Sequence, residues 1–282
     1  MEAEGKRWWV PYALVLPAFL VILLFVIYPM FSAIRLSFIH PETSAFTFEN
    51  YAYFFEDEIM RGNLFYTLEI VLWTVLFTFI FSYLLAAYLR FSNSRLSRMV
   101  GNLTLLPRFI PGLVAVYAVI LMIKDAGVLS RIANWFGIQL SLGWMYNMEG
   151  IILMNLWFNI PFSTLILLSA LSNVKDSYVE SLKDVGGNNW HVLTKLMLPM
   201  TYKDIFVSMT FVFMGNIGSF TTPFLMGRTN PKMLGVVLYD QFNSYMAYER
   251  AAALSVIMFL ICSIAAGAYI WSNMKESVWE KS

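Results

Sequence analysis

Residues 172–204 read SNVKDSYVESLKDVGGNNWHVLTKLMLPMTYKD, too polar to enter a bilayer and too periodic for a plain loop. Lys175, Lys183, Lys195 and Lys203 balance Asp176, Glu180, Asp184 and Asp204. Tyr178, Leu182 and Val185 fall at i, i+4, i+7, and Trp190, Leu193 and Met197 at i, i+3, i+7, so each trio lines one helix face. Gly186-Gly187 separates the trios, and glycine is the residue that permits a left-handed helix stop. Asn188 or Asn189 can cap the helix that follows, and Pro199 interrupts it. The segment 173–199 is therefore expected to be a short helix, a glycine turn and a second short helix. Such an elbow could rest on lipid headgroups, which would call for more Lys and Arg, or form a rigid knob held by a protein partner.

On both sides of this segment the chain turns apolar. Hydrophobic residues make up 59 % of the 282, charged residues 13 %, and the mean hydropathy is +0.64. A soluble domain carries about 25 % charged residues, so a soluble enzyme is excluded. Stretches near 11–38, 64–89, 100–123, 150–171, 205–226 and 251–271 are each apolar and long enough to span a membrane as a helix. The expected fold is an all-α membrane protein with six transmembrane helices. The first stretch is too long for a signal peptide and lacks a small-residue cleavage site. A net charge of +1 leaves no basic field for nucleic acid. The lone Cys262 excludes a disulfide framework and a cysteine zinc site.

Positive charge orients the chain. With both termini inside, the inner segments hold Lys6, Arg7, Arg90, Arg95, Arg98, the four elbow lysines, Lys275 and Lys281. The outer segments hold Arg61, Lys124, Arg131, Arg228, Lys232 and Arg250, and the outer loop 40–63 is acidic through Glu42, Glu49, Glu56, Asp57 and Glu58. An N-in, C-in arrangement follows. Trp8, Trp9, Tyr12, Trp271 and Trp279 sit where membrane interfaces are expected. Ala251/Ser255 and Ser263/Gly267 are small-residue pairs suited to close helix packing.

Polar side chains inside spans are costly and mark a translocation path or an interhelical contact. The candidates are Asn155 and Asn159 on one face of the fourth span, and Asn216, Ser219 and Thr222 on the fifth. Glu69 could meet a cation in the second span or lie at its interface. Pro107, Pro111, Gly112 and Pro161 break helices where a gate or a local kink would fall. His40 and His191 have no partner pattern and read as solvated loop residues. No catalytic motif is visible, no metal site is expected, and no G-x-x-x-x-G-K-[ST] phosphate loop is present. The chain is thus not an enzyme, and any ATP is used elsewhere.

Glu180-Ser181-Leu182, Asp184-Val185-Gly186-Gly187, Trp190 and Leu198-Pro199 resemble the "EAA" signature of binding-protein-dependent ABC importer permeases. Ser181 and Leu182 stand where the family has alanines, and Gly187 replaces a third. The resemblance covers nearly the whole chain. It implies that 1–282 form a single transmembrane permease domain of the type I ABC importer fold. It further implies that Tyr178, Glu180, Ser181, Leu182, Asp184, Val185, Gly186 and Gly187 form a coupling helix and turn. The stripe would fill a cleft on an ATPase, and Glu180 would pair with the rim.

The implied partners are two ABC ATPase subunits carrying ATP and Mg, a second permease (homologous or identical), an extracytoplasmic binding protein and membrane lipid. No cofactor is bound by this chain, and the implied location is the bacterial cytoplasmic (inner) membrane. Residues 218–227, GSFTTPFLMG, with Met233-Leu234-Gly235 and Tyr239-Asp240-Gln241-Phe242, resemble spermidine/putrescine permeases. Ferric iron and phosphonate relatives share parts of that pattern. Sugar-type permeases more often place the aspartate directly before glycine, unlike Asp184 here. The competing class is an ion-coupled secondary transporter, for which no mid-span carboxylate or inverted repeat is evident.

Overall fold

The computed structural model of the chain describes residues 10–276. Lys6, Arg7, Trp8, Trp9, Trp279 and Lys281, invoked above for orientation and anchoring, lie outside the described residues. Helix α1 occupies Tyr12–Ser37, α2 Glu49–Glu56 and the long α3 Glu58–Phe91. Helix α4 spans Arg95–Leu105, α5 Gly112–Ile123 and α6 Val128–Trp135. Then come α7 (Met148–Asn173), α8 (Asp176–Asp184), α9 (Asn189–Met200) and α10 (Tyr202–Ile217). Helices α11 (Thr221–Met226), α12 (Leu234–Tyr239) and α13 (Tyr248–Glu276) complete the order. Among the described residues the β structure is an isolated bridge between Ile39 and Phe46.

The stretches 11–38, 64–89, 150–171 and 251–271 correspond to the single helices α1, α3, α7 and α13. The other two expected spans are broken. Within 100–123, α4 gives way to a tight turn at Leu106–Phe109, and Ile110 is extended with ψ 124° before Pro111 opens α5. Pro107 and Pro111 each lack an N–H, and a residue before proline is pushed out of helical geometry. The apolar run continues instead through α5 and α6, over Gly112–Trp135. Within 205–226, α10 stops at Ile217 and α11 begins at Thr221. The 16 residues of α10 reach about 24 Å, short of a hydrocarbon core of about 30 Å.

The chain forms two compact units. Among the described residues, the first comprises 10–57 with Leu238–Ile257. In it α1 ends on an aromatic cluster, with Phe38 stacked on Phe46 at 5.3 Å and edge-on to Phe48 at 5.4 Å. The buried Asn50 Nδ2 donates to Ser37 O and Ile39 O at 3.0 and 2.9 Å, which satisfies carbonyls at the helix end. His40 is not simply solvated: its Nδ1 accepts from the backbone N–H groups of Glu42 and Thr43, and its Nε2 lies 3.2 Å from Glu49. The imidazole therefore shapes the turn after α1. Arg250 stacks over the Tyr53 ring at 4.3 Å.

The second unit comprises Glu58–Val237 with 258–276, and its core is the pairing of α3 with α7, joined by α10. Helix α3 presents Thr67, Ile70, Val71, Thr74, Thr78, Ser82 and Ala86 as one buried face. Small and hydroxyl-bearing residues let helix backbones approach closely in lipid. Ile151, Met154 and Leu167 fill the opposing face of α7. Pro161 sits inside α7, and Ser82 Oγ donates to the neighbouring Ile160 O at 3.3 Å, which ties α3 to α7 beside the proline. On α13, a Cβ at Gly267 would meet nothing within 4 Å, so among the described residues Gly267 makes no close helix contact.

Candidate functional site

The elbow lies where the sequence placed it, and its geometry follows from its glycines. Helix α8 ends at Asp184, and Gly186 adopts φ +88°, the left-handed region that L side chains avoid. Gly186 N–H donates to Lys183 O and Gly187 N–H to Leu182 O, both at 2.9 Å. These two bonds are the Schellman pair that closes a helix on a left-handed residue. Gly187 presses on Leu182: a Cβ there would meet Leu182 O at 2.6 Å. Asn188, not Asn189, caps the next helix, its side-chain oxygen accepting His191 N–H at 2.9 Å. Within α9 the turns Val192–Met197 are wide, with Leu198 N–H reaching back to Leu193 O. Such a π segment accommodates Pro199 without ending the helix, and the axis turns by 74° into α10 only at Thr201.

The apolar stripe of α8 is divided rather than continuous. Tyr178 and Val185 are exposed, Val185 at 80 %. Leu182 is half-buried and turns inward with Val179 (5 % exposed) onto a cluster of Tyr83, Ala86, Leu171, Val192 and Met197. Leu182 thus packs partly against the hydrophobic contact of its own turn and leaves only part of its side chain at the surface. Glu180, Ser181 and Asp184 lie on the exposed side, and Ser181 Oγ donates back to Ser177 O at 2.8 Å. The second trio is divided likewise, with Trp190 exposed and Met197 buried.

Two side chains from α3 fix this elbow, and neither is marked by local spacing. Tyr83 OH donates to Leu193 O at 2.8 Å. Arg90 Nε donates to Leu171 O at 3.3 Å, and its Nη2 donates to Val174 O at 3.4 Å and pairs with Asp176. Leu171 lies in the last turn of α7, Val174 is the residue just after it, and Asp176 opens α8. From sequence, Arg90 counted only as an inner positive charge.

The polar span residues meet in one place. A cavity of about 290 Å³ is lined by Asn155 and Asn159 from α7, Asn216 from α10, Ser219 from the break, and Thr222 from α11. Gly112 and Val116 of α5 and Phe158 of α7 close its sides. Asn155 Nδ2 donates to Thr74 Oγ1 at 3.4 Å, Asn159 Nδ2 to Asn155 O at 2.7 Å, and Asn216 Nδ2 to Val212 O at 2.6 Å. Among the described residues, the side-chain oxygens of these asparagines accept no hydrogen bond, so each remains an acceptor. Glu69 is not with them: it is exposed on α3, away from the buried face. A second cavity, of about 410 Å³, adjoins through Gly112, Phe158 and Asn159 and reaches Pro107, Arg108 and Phe162. Arg108 lies over the Phe162 ring at 5.6 Å.

Outside the cavity, the chain after α11 is pinned to the start of α3. Lys232 N–H donates to Asn63 Oδ1 at 2.7 Å and Leu234 N–H to Thr67 Oγ1 at 2.9 Å. Gly235 packs on the α10–α11 break, where a Cβ would meet the Ser219 carbonyl carbon at 2.8 Å and Gly218 O at 3.0 Å. The Met233-Leu234-Gly235 motif thus buttresses the cavity wall rather than lining it. No group of His, Cys, Asp or Glu able to hold a metal occurs among the described residues.

A protein family described as "Binding-protein-dependent transport system inner membrane component" matches residues 78–274. A spermidine/putrescine transport system permease protein of Salmonella typhimurium is 22 % identical over 249 residues, covering 86 % of each chain. A thiamine transport system permease protein of Haemophilus influenzae is 25 % identical over 215 residues, covering 76 % of this chain and 39 % of its own. Among solved structures, a chain of a bacterial alginate ABC transporter, in complex with its alginate pentasaccharide-bound periplasmic protein, aligns with a TM-score of 0.81. It shares 19 % identity, over 96 % of this chain and 95 % of that one. A chain of an inward-facing methionine ABC transporter aligns with a TM-score of 0.56 at 17 % identity, over 75 % and 92 %.

Proposed function

Because the chain belongs to the family of binding-protein-dependent transport system inner membrane components, we propose that it conducts a polyamine-type solute through the asparagine-lined cavity, driven at its elbow by partner ATPases. It is the multi-pass, non-catalytic permease subunit of an ABC importer. The observation that carries the cargo assignment is the cavity, whose lining offers amide and hydroxyl oxygens as acceptors and includes no lysine, arginine or histidine. An ammonium group is a pure donor and fits such a lining. The spermidine/putrescine relatives support the same chemistry. No carboxylate lines the cavity either, so it passes a cation without trapping it. Selectivity then rests with an extracytoplasmic binding protein that delivers the solute.

The elbow is the site where force enters. Glu180, Asp184, Tyr178 and Val185 form its exposed face. An apolar anchor with charged groups at its rim is the layout of a protein-docking hot spot. Two ATPase subunits binding ATP and Mg grip this face and that of a second permease, on the inner side of a bacterial cytoplasmic membrane. Their closure opens the path outward, and hydrolysis resets it inward.

The assignment is tested in proteoliposomes containing the whole transporter and its binding protein. ATP-dependent uptake of labelled spermidine is expected. Uptake of thiamine, itself an organic cation, with no uptake of spermidine or putrescine would overturn the cargo. Glu180→Ala is expected to lower solute moved per ATP about tenfold while membrane insertion is unchanged. Wild-type uptake in that variant would remove the elbow from the drive train.

A further inference from the structure

We propose that Arg90 is the positioning residue that makes the elbow and the paired helices α3 and α7 move as one body; this rests on the elbow being the place where the ATPases act. Only Val174 and Lys175 separate the end of α7 from the start of α8. The last carbonyls of a helix have no partner within it, and the negative end of its dipole favours a cation there. Arg90 takes both roles at once. Its Nε and Nη2 hold Leu171 O and Val174 O, and Nη2 continues to Asp176 in the first turn of α8. A guanidinium has the planar set of N–H donors needed for three acceptors on two elements, which an ammonium lacks.

Burial shows which of these contacts matters more. The Arg90 side chain is 19 % exposed, whereas Asp176 is 70 % exposed. An ion pair whose carboxylate is that open to water contributes little. The charge-assisted bonds to the α7 carbonyls, from a mostly buried guanidinium, are the stronger link. Tyr83 OH, two turns earlier on α3, adds a second attachment at Leu193 O on the far arm of the elbow. Both arms are therefore tied to α3. With Val174 O held by Arg90 at the joint itself and Leu193 O held by Tyr83, little of a push on α8 can be absorbed by flexing at Val174–Lys175.

The test compares Arg90→Gln, Arg90→Lys and Asp176→Asn in the reconstituted complex, reading solute moved per ATP hydrolysed. Arg90→Gln is expected to lose about tenfold, Arg90→Lys less, and Asp176→Asn least, with ATP hydrolysis persisting. In a Cys262→Ser background, spin labels at Ser177→Cys and Ser92→Cys should give a broader distance distribution in Arg90→Gln than in the parent. A wild-type ratio with an unbroadened distribution in Arg90→Gln would overturn the proposal. Should that variant not assemble, the same result in Arg90→Lys overturns it. If the unmutated complex retains no ATPase or Glu180→Ala has no effect, the elbow assignment fails instead; if only the Arg90 variants are silent, the strap alone fails.

Discussion

Gly235 shows how a single hydrogen in place of a methyl can set a transport path. Its backbone rests on the carbonyls of Gly218 and Ser219, closer than a Cβ allows. Gly235→Ala should displace the α10–α11 break and the cavity wall it carries, and uptake should fall several-fold while the protein still inserts. Gly62→Ala is the contrast: nothing lies within 4 Å of a Cβ there, and it sits in α3. A gain of up to about 1 kcal/mol in helix stability is expected at that position. Equal uptake by both variants would deny the break its place in the path. At this scale the sequence was informative where a residue type has few uses. Asparagines inside apolar runs had to meet something, and Asn155, Asn159 and Asn216 meet one another's cavity. How far Leu182 turns inward was not legible, for the opposite reason. Its spacing fits the stripe with Tyr178 and Val185, but helical spacing alone does not say which flank of a wide stripe turns inward, and Val179 draws Leu182 to the core. Glu69 is a single charge on a long helix, and its phase became clear only once the buried face of α3 was known.

At the scale of elements, the helices that are continuous apolar runs were readable, whereas the stretches 100–123 and 205–226 passed for single spans. Hydropathy averages over a window, so 100–123 and 205–226 score as spans although Pro107, Pro111 and Gly218-Ser219-Phe220 interrupt them. Pro107 lines one of the two adjoining cavities and Ser219 and Phe220 the other, and irregular backbone at membrane depth is tolerated where it faces a cavity or protein. The breaks are thus informative in retrospect: α5, α10 and α11 give the cavity residues at or near their broken ends, while α7 runs past it and contributes Asn155, Phe158 and Asn159 from its side. Asn216→Leu tests the point. The leucine removes the acceptor and the bond to Val212 O and should depress uptake at least about tenfold with ATP hydrolysis intact. Normal uptake would return Asn216 to a packing role. The elbow was recoverable from its glycine pair and helical periodicity. Its attachment was not, because Arg90 and Asp176 are 86 residues apart and nothing in either neighbourhood announces the other.

At the scale of the whole chain, burial is uneven in a way that composition foretold only in part. The most apolar window of α3 is 44 % buried, as is that of α7, whereas the window of α1 is not buried at all. Contiguous apolar surface of that kind is met by lipid or by another subunit. Binding of subunits to the folded chain alone raises its apparent stability by mass action. In detergent, the chain purified with a second permease and its ATPases should unfold several degrees above the chain alone. A shared midpoint in a stoichiometric complex would mean that assembly covers little of this surface. The 74° turn at Thr201 carries a mechanical implication of its own. If the elbow is driven as proposed, a load along α9 would meet α10 off its axis and arrive as torque and not as thrust. Helix α10 would then pivot at Thr201, with displacement growing with distance from that fulcrum. Asn216 lies about 22 Å up the helix, where a swing of only about 10° sweeps it sideways by about 4 Å, enough to widen or pinch a passage of small-molecule calibre with almost no motion at the end being pushed.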